Sequence, residues 1–212
     1  LRADVRLALP GLVFVDGERR IAVEDFAADL RVAEGRATVE AAGESAAGPL
    51  TLSVGAALDP ADLALRAEAA LPAGIAAPYL APREIGGRIR LEAALDGAAD
   101  ATALSRLEAR VTSDDLRVAD PGLGLAFDPV RLALDVSDGR GDLDLEAVGP
   151  GGVAATVSAG FALDPENLDL TAEGAVPLAL AEPFVAPREA EGTLRYEAAL
   201  DGAADAGALD RL

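Results

Sequence analysis

GLGLAFDPVRLALDVSDGRGDLDLEAVG, the stretch from Gly122 to Gly149, carries the clearest structural signal in this sequence. Every second residue is apolar from Leu123 to Phe127, the Asp-Pro pair at 128–129 shifts the phase, and the alternation resumes over 130–136. The segment SDGRG at 137–141 combines residues that favour tight turns. Apolar residues with a period of two, interrupted by a short turn, predict a β-hairpin.

The same pattern continues beyond this stretch. GPGG at 149–152 is followed by an alternating run over 153–163, and DPEN at 164–167 is followed by another run that starts at Leu168. Because short turns separate the runs, we expect successive strands to pair antiparallel. One side of the strands should be apolar, and the other should carry Arg, Asp, Glu and Thr. The sequence therefore predicts an all-β chain.

An internal repeat organises the chain. Residues 55–107 align without a gap to residues 160–212, an offset of 160 − 55 = 105 residues, and more than half of the paired positions are identical. We therefore predict one continuous β-repeat region over residues 1–212, with copies at about 1–107 and 108–212. We also expect it to be a fragment of a longer protein.

Two Pro-rich segments interrupt the alternation, one in each copy. Residues 69–82 and residues 174–187 contain three prolines each. Proline has no N–H to donate to a strand ladder, so these segments are not central strands. We predict that each is an irregular or briefly helical crossover at a repeat junction.

The composition excludes several kinds of chemistry. The 212 residues include no Cys and no His, which removes thiol nucleophiles, Cys-ligated metals and His-dependent catalytic triads. The formal net charge of −19 repels nucleic-acid phosphates. We therefore predict that the protein is not an enzyme, that it has no catalytic residue, metal or cofactor, and that it does not bind nucleic acid.

The many carboxylates do not form a recognisable site. Asp142 and Asp144 fall on one side of a strand, but an acidic protein carries such residues as solvated outward side chains. Together with Asp135 and Asp138 they could suggest calcium, yet the EF-hand spacing is missing. We expect these carboxylates to face solvent.

Two architectures fit the apolar alternation. Two sheet faces could close on each other as a sandwich or barrel, or an open, curved sheet could keep an apolar concave side. The apolar residues are almost entirely Ala, Leu and Val, with five Phe, two Tyr and no Trp or Met. This composition, together with a repeat that can be extended indefinitely, favours the open sheet.

A family resemblance points in the same direction. PFVAPREAEGTLRYEAALDGAADAGALDRL, from Pro183 to Leu212, and its earlier copy from Pro78 resemble the repeats of the TamB (translocation and assembly module) family, within the AsmA-like group of bacterial envelope proteins. ADPGLGLAFDPVRLALDVSDGRGDLDL, from Ala119 to Leu145, fits the continuation of that repeat. The resemblance covers nearly the whole chain, although about the first twenty-five residues fit poorly.

This resemblance implies a β-taco, an elongated antiparallel half-pipe with a hydrophobic groove, here built from about two 105-residue repeats. It also implies the periplasmic portion of an inner-membrane-anchored protein of a Gram-negative bacterium. Two roles follow: a bridge that carries phospholipid between the inner and outer membranes, or a scaffold for outer-membrane protein and autotransporter assembly. The family partner is a BamA-like barrel, TamA, which would be contacted through regions outside this sequence. A secreted adhesin-type repeat is the third hypothesis.

For the lipid bridge, we predict that acyl chains contact apolar residues of the second copy. These groove-lining candidates are Leu123, Leu125, Phe127, Leu132, Leu134, Leu143, Leu145, Val157, Phe161, Leu168, Leu170, Leu194 and Tyr196.

Overall fold

The structure, a computed structural model, describes residues 2–16, 19–57, 63–97, 103–162, 167–181 and 191–203. Within these residues the chain is almost entirely β-structure. The strands are β1 (Arg2–Asp16), β2 (Arg19–Ala33), β3 (Arg36–Ser45), β4 (Gly48–Ala57), β5 (Leu63–Pro72), β6 (Glu84–Gly86), β7 (Arg88–Gly97), β8 (Leu107–Asp120), β9 (Leu125–Ser137), β10 (Arg140–Val148), β11 (Ala154–Ala162), β12 (Asn167–Pro177) and β13 (Thr193–Ala203). Short helical segments are η1 (Ala73–Ala76), α1 (Ala77–Leu80), η2 (Ala103–Arg106), η3 (Pro150–Gly152) and η4 (Leu178–Ala181).

The strands form one antiparallel sheet that does not close on itself. Its order follows the sequence from β1 to β5, then β7 to β13, while β6 lies off this path and pairs with β8. The predictions of an all-β antiparallel chain and of an open sheet are therefore confirmed.

Two-residue turns set the register of two hairpins. Glu34–Gly35 joins β2 to β3 and Asp138–Gly139 joins β9 to β10, and all four residues have positive φ. Positive φ at both central residues is the type I′ geometry that matches the twist of the adjoining strands. The predicted turn over 137–141 is thus a tight hairpin.

A bulge in β9 produces the phase shift that the sequence predicts at Asp-Pro. Leu116 of β8 pairs with Val130, and Val118 pairs with Phe127. The interval between these pairs is two residues in β8 and three residues in β9. The extra residue falls at 128–129 and brings Phe127 into the same apolar cluster as Val130.

The Pro-rich segments are connections that return to the neighbouring strand. Residues 69–72 and 174–177, which the sequence assigned to the crossovers, still belong to β5 and β12. We therefore define the Pro-rich connections as residues 73–87 and 178–192. The first passes through η1, α1 and β6 and leads into β7, which pairs with β5 itself. Residues 182–187 of the second predicted crossover lie outside the described residues.

One hydrogen bond closes the base of each connection. The N–H of Ala73 donates to the carbonyl of Gly87 over 2.9 Å, and the N–H of Leu178 donates to the carbonyl of Gly192 over 2.9 Å. Both donors and both acceptors differ by 105 residues (178 − 73 and 192 − 87). The two connections therefore leave and rejoin the sheet in the same way.

The buried core lies near the strand ends along one of the two margins of the sheet. We call the strand ends near Pro72 and Pro177 the connection margin, and the opposite ends, near the Glu34–Gly35 and Asp138–Gly139 turns, the turn margin. The buried apolar residues in the described part of the chain are Val23, Ala73, Leu116, Val130, Ala147, Ala155 and Leu180. All of them lie in the connections or in the part of a strand nearest the connection margin.

Candidate functional site: the apolar face

The strand register brings apolar residues into continuous rows across the sheet. Directly paired residues of neighbouring strands lie on the same face. The central row runs through twelve strands without a polar residue: Leu7, Ala28, Ala41, Leu52, Ala69, Leu91, Val111, Leu134, Leu143, Ala159, Ala172 and Ala198.

Two further rows on the same face, nearer the turn margin, are also free of charge. One consists of Val5, Leu30, Val39, Val54, Ala67, Ala93, Ala109, Val136, Gly141, Phe161 and Leu170. The other consists of Ala3, Val32, Ala37, Ala56, Leu65, Leu95 and Leu107. We call the surface formed by these rows, together with Leu132, Leu145 and Val157, the apolar face.

The opposite face is polar and is held together by cross-strand ion pairs. Arg6 contacts Asp29 over 2.7 Å between β1 and β2, and Arg110 contacts Asp135 between β8 and β9. The hydrogen bond that Arg6 donates to the Asp29 carboxylate is the main cause that raises the pKa of Arg6, and the hydrogen bond from Arg110 to the Asp135 carboxylate raises the pKa of Arg110 in the same way. The charged residues of the described strands therefore lie mainly on the face away from the apolar rows.

The polar face also carries shallow, open depressions. One of about 430 Å³ lies over β10 to β13 and is lined by Asp142, Asp144, Ser158, Glu173 and Glu197, among others. Carboxylates around a wet depression offer nothing to an acyl chain, so this surface is a poor candidate for an apolar ligand.

The apolar face remains substantially open to solvent. Val5 is 55% exposed, Leu7 46% and Leu52 39%, and most other members of the rows are only half-buried. No second sheet packs on this face within the described ranges, which hold a single sheet. An uncovered apolar surface of this extent is typical of a binding surface.

Most of the predicted groove-lining residues meet on this face. Leu134 and Leu143 belong to the central row, and Phe161 and Leu170 pair in the next. A row nearer the connection margin contains Leu132, Leu145, Val157, Gly174 and Tyr196. The structure thus gathers eight of the predicted residues, taken from five consecutive strands, on one surface.

The remaining predicted residues lie at the edges of this surface or outside it. Phe127 packs in the buried cluster at the connection margin. Leu125 pairs with Asp120 beyond the bulge, and Leu123 is exposed in the turn that precedes β9. Leu194 pairs with Val176 and is 54% exposed, and for Leu168 only the backbone pairing with Gly202 is described.

Two of the predicted aromatic residues lie flat against the sheet. A Cβ on Gly141 would come within 2.3 Å of the Phe161 ring, and a Cβ on Gly174 would come within 2.6 Å of the Tyr196 ring. Each ring therefore covers the glycine directly opposite on the neighbouring strand. The two aromatic side chains thus fill the space that these glycines leave on the face.

The first half of the chain supplies residues that the sequence-based list missed. Leu30 pairs with Val39 across the β2–β3 hairpin as Leu134 pairs with Leu143 across the β9–β10 hairpin 104 residues later, and Leu65 precedes Leu170 by 105 residues. The internal repeat was the signal that could have identified them.

Comparison of the chain with protein-family models, with curated proteins and with solved structures found no match. The resemblance to the TamB family therefore stays a prediction. None of the helices in the described residues has the length and hydropathy needed to cross a lipid bilayer.

Proposed function

We propose that this chain is a segment of a lipid-transfer bridge, with the sheet curved into an elongated half-pipe whose inner wall is the apolar face. The single observation that carries the proposal is the charge-free surface of paired rows that continues from β1 to β12. Acyl chains would lie on these rows while headgroups remain in the aqueous, open part of the groove. The polar face would form the outside of the half-pipe.

The energetics suit transport better than storage. Each acyl CH₂ removed from water contributes about 0.8 kcal/mol, so even a partly covered chain is held by several kcal/mol. Ala, Leu and Val repeat along the rows without a charged residue, and this gives many positions of similar affinity. A lipid can therefore move from strand to strand without meeting one deep site.

The repeat also supports an extended architecture. β5, η1 and the start of β7 correspond to β12, η4 and the start of β13 at an offset of 105 residues (72 to 177, 73 to 178 and 88 to 193). In our proposal this unit is repeated along the bridge, which crosses the periplasm of a Gram-negative bacterium from an inner-membrane anchor. Contact with a BamA-like barrel would use other regions of the protein.

Substitution on the two faces of one strand tests the proposal. Leu170→Asp places a charge on the apolar face, and Thr171→Asp places the same charge on the polar face one residue away. We expect Leu170→Asp, and equally Leu134→Asp, to abolish transfer of a fluorescent phospholipid between vesicles, with Thr171→Asp close to the wild-type rate. Circular dichroism checks that the variants keep their β-structure.

Each other outcome favours a different hypothesis. If Leu170→Asp and Leu134→Asp unfold the chain while Thr171→Asp does not, the apolar face is a closed core and the hypothesis of a lipid-transfer bridge is wrong. Photocrosslinking in cells that yields outer-membrane barrel proteins instead of lipid at these positions favours the assembly scaffold. Thermal stabilisation by millimolar calcium favours the adhesin.

A further inference from the structure

The connection margin and the turn margin of the apolar face differ in how they are covered. At the connection margin, Ala73 from the first Pro-rich connection packs in one buried cluster with Leu116, Val130 and Ala147. In the second connection, Leu180 is buried and lies beside Gly149, which the Phe127 ring also approaches. Both connections thus place apolar atoms directly on residues of this margin.

Each connection reaches back over several strands. α1 follows β5 but contacts β2, and Gly74 lies against Ala47 in the turn between β3 and β4. Leu180 follows β12 but lies beside Gly149, directly after β10. Neighbouring strands are about 4.8 Å apart, so the first connection extends about 14 Å and the described part of the second about 10 Å across the strand ends. Together they cover the strand ends from β2 to β5 and from β10 to β12.

Two carboxylates at the connection margin have partners. Arg83 of the first connection contacts Asp120 over 3.1 Å. The carboxylate of Asp115 accepts a hydrogen bond from the N–H of Arg88 over 3.0 Å. Where the connections pack on the strands, a ligand therefore meets buried apolar residues, and the Asp115 and Asp120 carboxylates there are already bonded.

The turn margin has the opposite character. Glu34 and Arg36 flank Gly35, and Asp138 and Arg140 flank Gly139, so each turn presents one anion and one cation. All four side chains are exposed, and none has an ion pair or side-chain hydrogen bond within the part of the chain that the structure describes. A phosphate next to an ammonium group matches this pair of charges.

We infer that residues 73–87 and 178–181 of the Pro-rich connections close one side of the groove, so that a bound zwitterionic phospholipid points its acyl chains toward the connection margin and its headgroup toward the turn margin. The inference rests on the proposed lipid function. It adds an orientation across the strands, because the reversed lipid would bury its phosphate against Ala73 and Leu180 without a hydrogen-bond partner.

Photoreactive lipids test the orientation on the full 212-residue chain. Vesicles of phosphatidylethanolamine carry a diazirine either at the acyl terminus or on the headgroup, and the labelled residues are mapped by mass spectrometry. We expect acyl labels at Leu132 and Leu145, and headgroup labels at residues 34–36 and 138–140. Burying one unpaired polar group disfavours the reversed lipid, so enrichment should be about tenfold or more.

The outcomes separate this inference from the function on which it rests. Exchanged label positions, or both labels spread evenly over the two margins, overturn the orientation while leaving lipid binding intact. If labelling does not exceed that of the Leu170→Asp variant, the chain does not bind lipid on this face, and the proposed function fails together with the orientation.

Discussion

Gly87 allows the one-residue connection between β6 and β7. It has φ of +97°, and a Cβ at this position would lie 2.3 Å from the backbone oxygen of Asp115 in β8. The neighbouring Ser113 is buried and donates a hydrogen bond to the carbonyl of Arg88 over 2.6 Å. The close approach of three backbone segments leaves room only for glycine.

We expect Gly87→Ala to destabilise the chain by more than about 2 kcal/mol, because both the positive φ and the contact with the Asp115 carbonyl oppose a side chain. Gly86→Ala is the matched control. No atom lies within 4 Å of a Cβ there, and it should change the free energy of unfolding by less than about 0.5 kcal/mol. Urea denaturation measures both. Equal losses of stability in the two variants would show that the backbone at position 87 does not require glycine.

Arg66 and Asp96 form a bidentate ion pair on the polar face. The guanidinium donates over 3.0 Å and 2.6 Å to the two carboxylate oxygens. This hydrogen bonding is the main cause that lowers the pKa of Asp96. A carboxylate with a lowered pKa stabilises the fold above its unfolded pKa, and that contribution is lost as pH falls through the folded value.

Asp96→Asn should therefore lower the free energy of unfolding at pH 6. The loss should become smaller when the pH falls below about 3.9, the ordinary pKa of Asp. Glu40→Gln removes the same charge from a residue that has no ion pair among the described residues. Chemical denaturation at pH 6 and at pH 2.5 compares the two variants. If the difference between them does not depend on pH, the ion pair does not contribute to stability.

Residue patterns predicted some of these features and not others. The Glu34–Gly35 and Asp138–Gly139 turns and the phase shift at Asp-Pro depend on neighbours in the chain, so the sequence shows them directly. Gly87 depends on Asp115, which is 28 residues away (115 − 87), and the Phe161 ring over Gly141 depends on strand register. Contacts between distant residues leave no local pattern.

At the scale of elements, the strands were predictable and the docking of the Pro-rich connections was not. Alternation marks the strands of the second half because one face of the sheet is apolar and the other is polar. The connections are rich in Ala and Pro, and nothing in that composition shows that they fold back toward β2 and the end of β10. The sequence also placed the start of the connections about four residues too early (69 against 73). Pro72 and Pro177 end strands at the margin of the sheet, where the missing N–H of proline costs no hydrogen bond of the ladder.

Leu180 tests how far the second connection stabilises the sheet. Its side chain is only 9% exposed, so Leu180→Ala should lower the free energy of unfolding by about 2 kcal/mol or more. Leu194→Ala removes the same atoms from a side chain that is 54% exposed and should cost less than about 0.5 kcal/mol. Thermal or urea unfolding gives both values, and similar losses would mean that η4 does not pack as a structural element.

At the scale of the whole molecule, the formal net charge is −19, and most charged residues of the described strands lie on the polar face. Glu68 lies directly opposite Glu92, and Glu173 lies directly opposite Glu197. Like charges paired across strands are destabilising, and salt screens them because they are exposed. The fold should therefore be less stable at low ionic strength.

We expect the melting temperature at pH 7 to rise between 20 mM and 500 mM NaCl, because the Debye length shortens from about 20 Å to about 4 Å. The double variant Glu68→Gln/Glu173→Gln should melt higher than wild type at low salt and show a smaller rise. A wild-type melting temperature that falls with added NaCl would mean that the attractive pairs, such as Arg6–Asp29, outweigh the repulsion.

The choice between an open and a closed sheet belongs to this scale as well. Alternation alone fits a sandwich, a barrel and an open sheet equally, because each of them has one apolar and one polar face per strand. Small apolar residues and tandem repetition favoured the open sheet, and the strand order shows it. The three charge-free rows could not be assigned beforehand, since a shift of one residue in any pairing would break them.

The spacing of the two Pro-rich connections limits how such a sheet can grow. From β5 to β12 there are six steps along the sheet order, an even number, so both strands run in the same direction and both connections emerge at the same margin. Gain or loss of a single strand would reverse every later strand and send the next connection to the opposite margin. Gain or loss of a hairpin would not. Insertions and deletions that keep the margins consistent should therefore occur in pairs of strands.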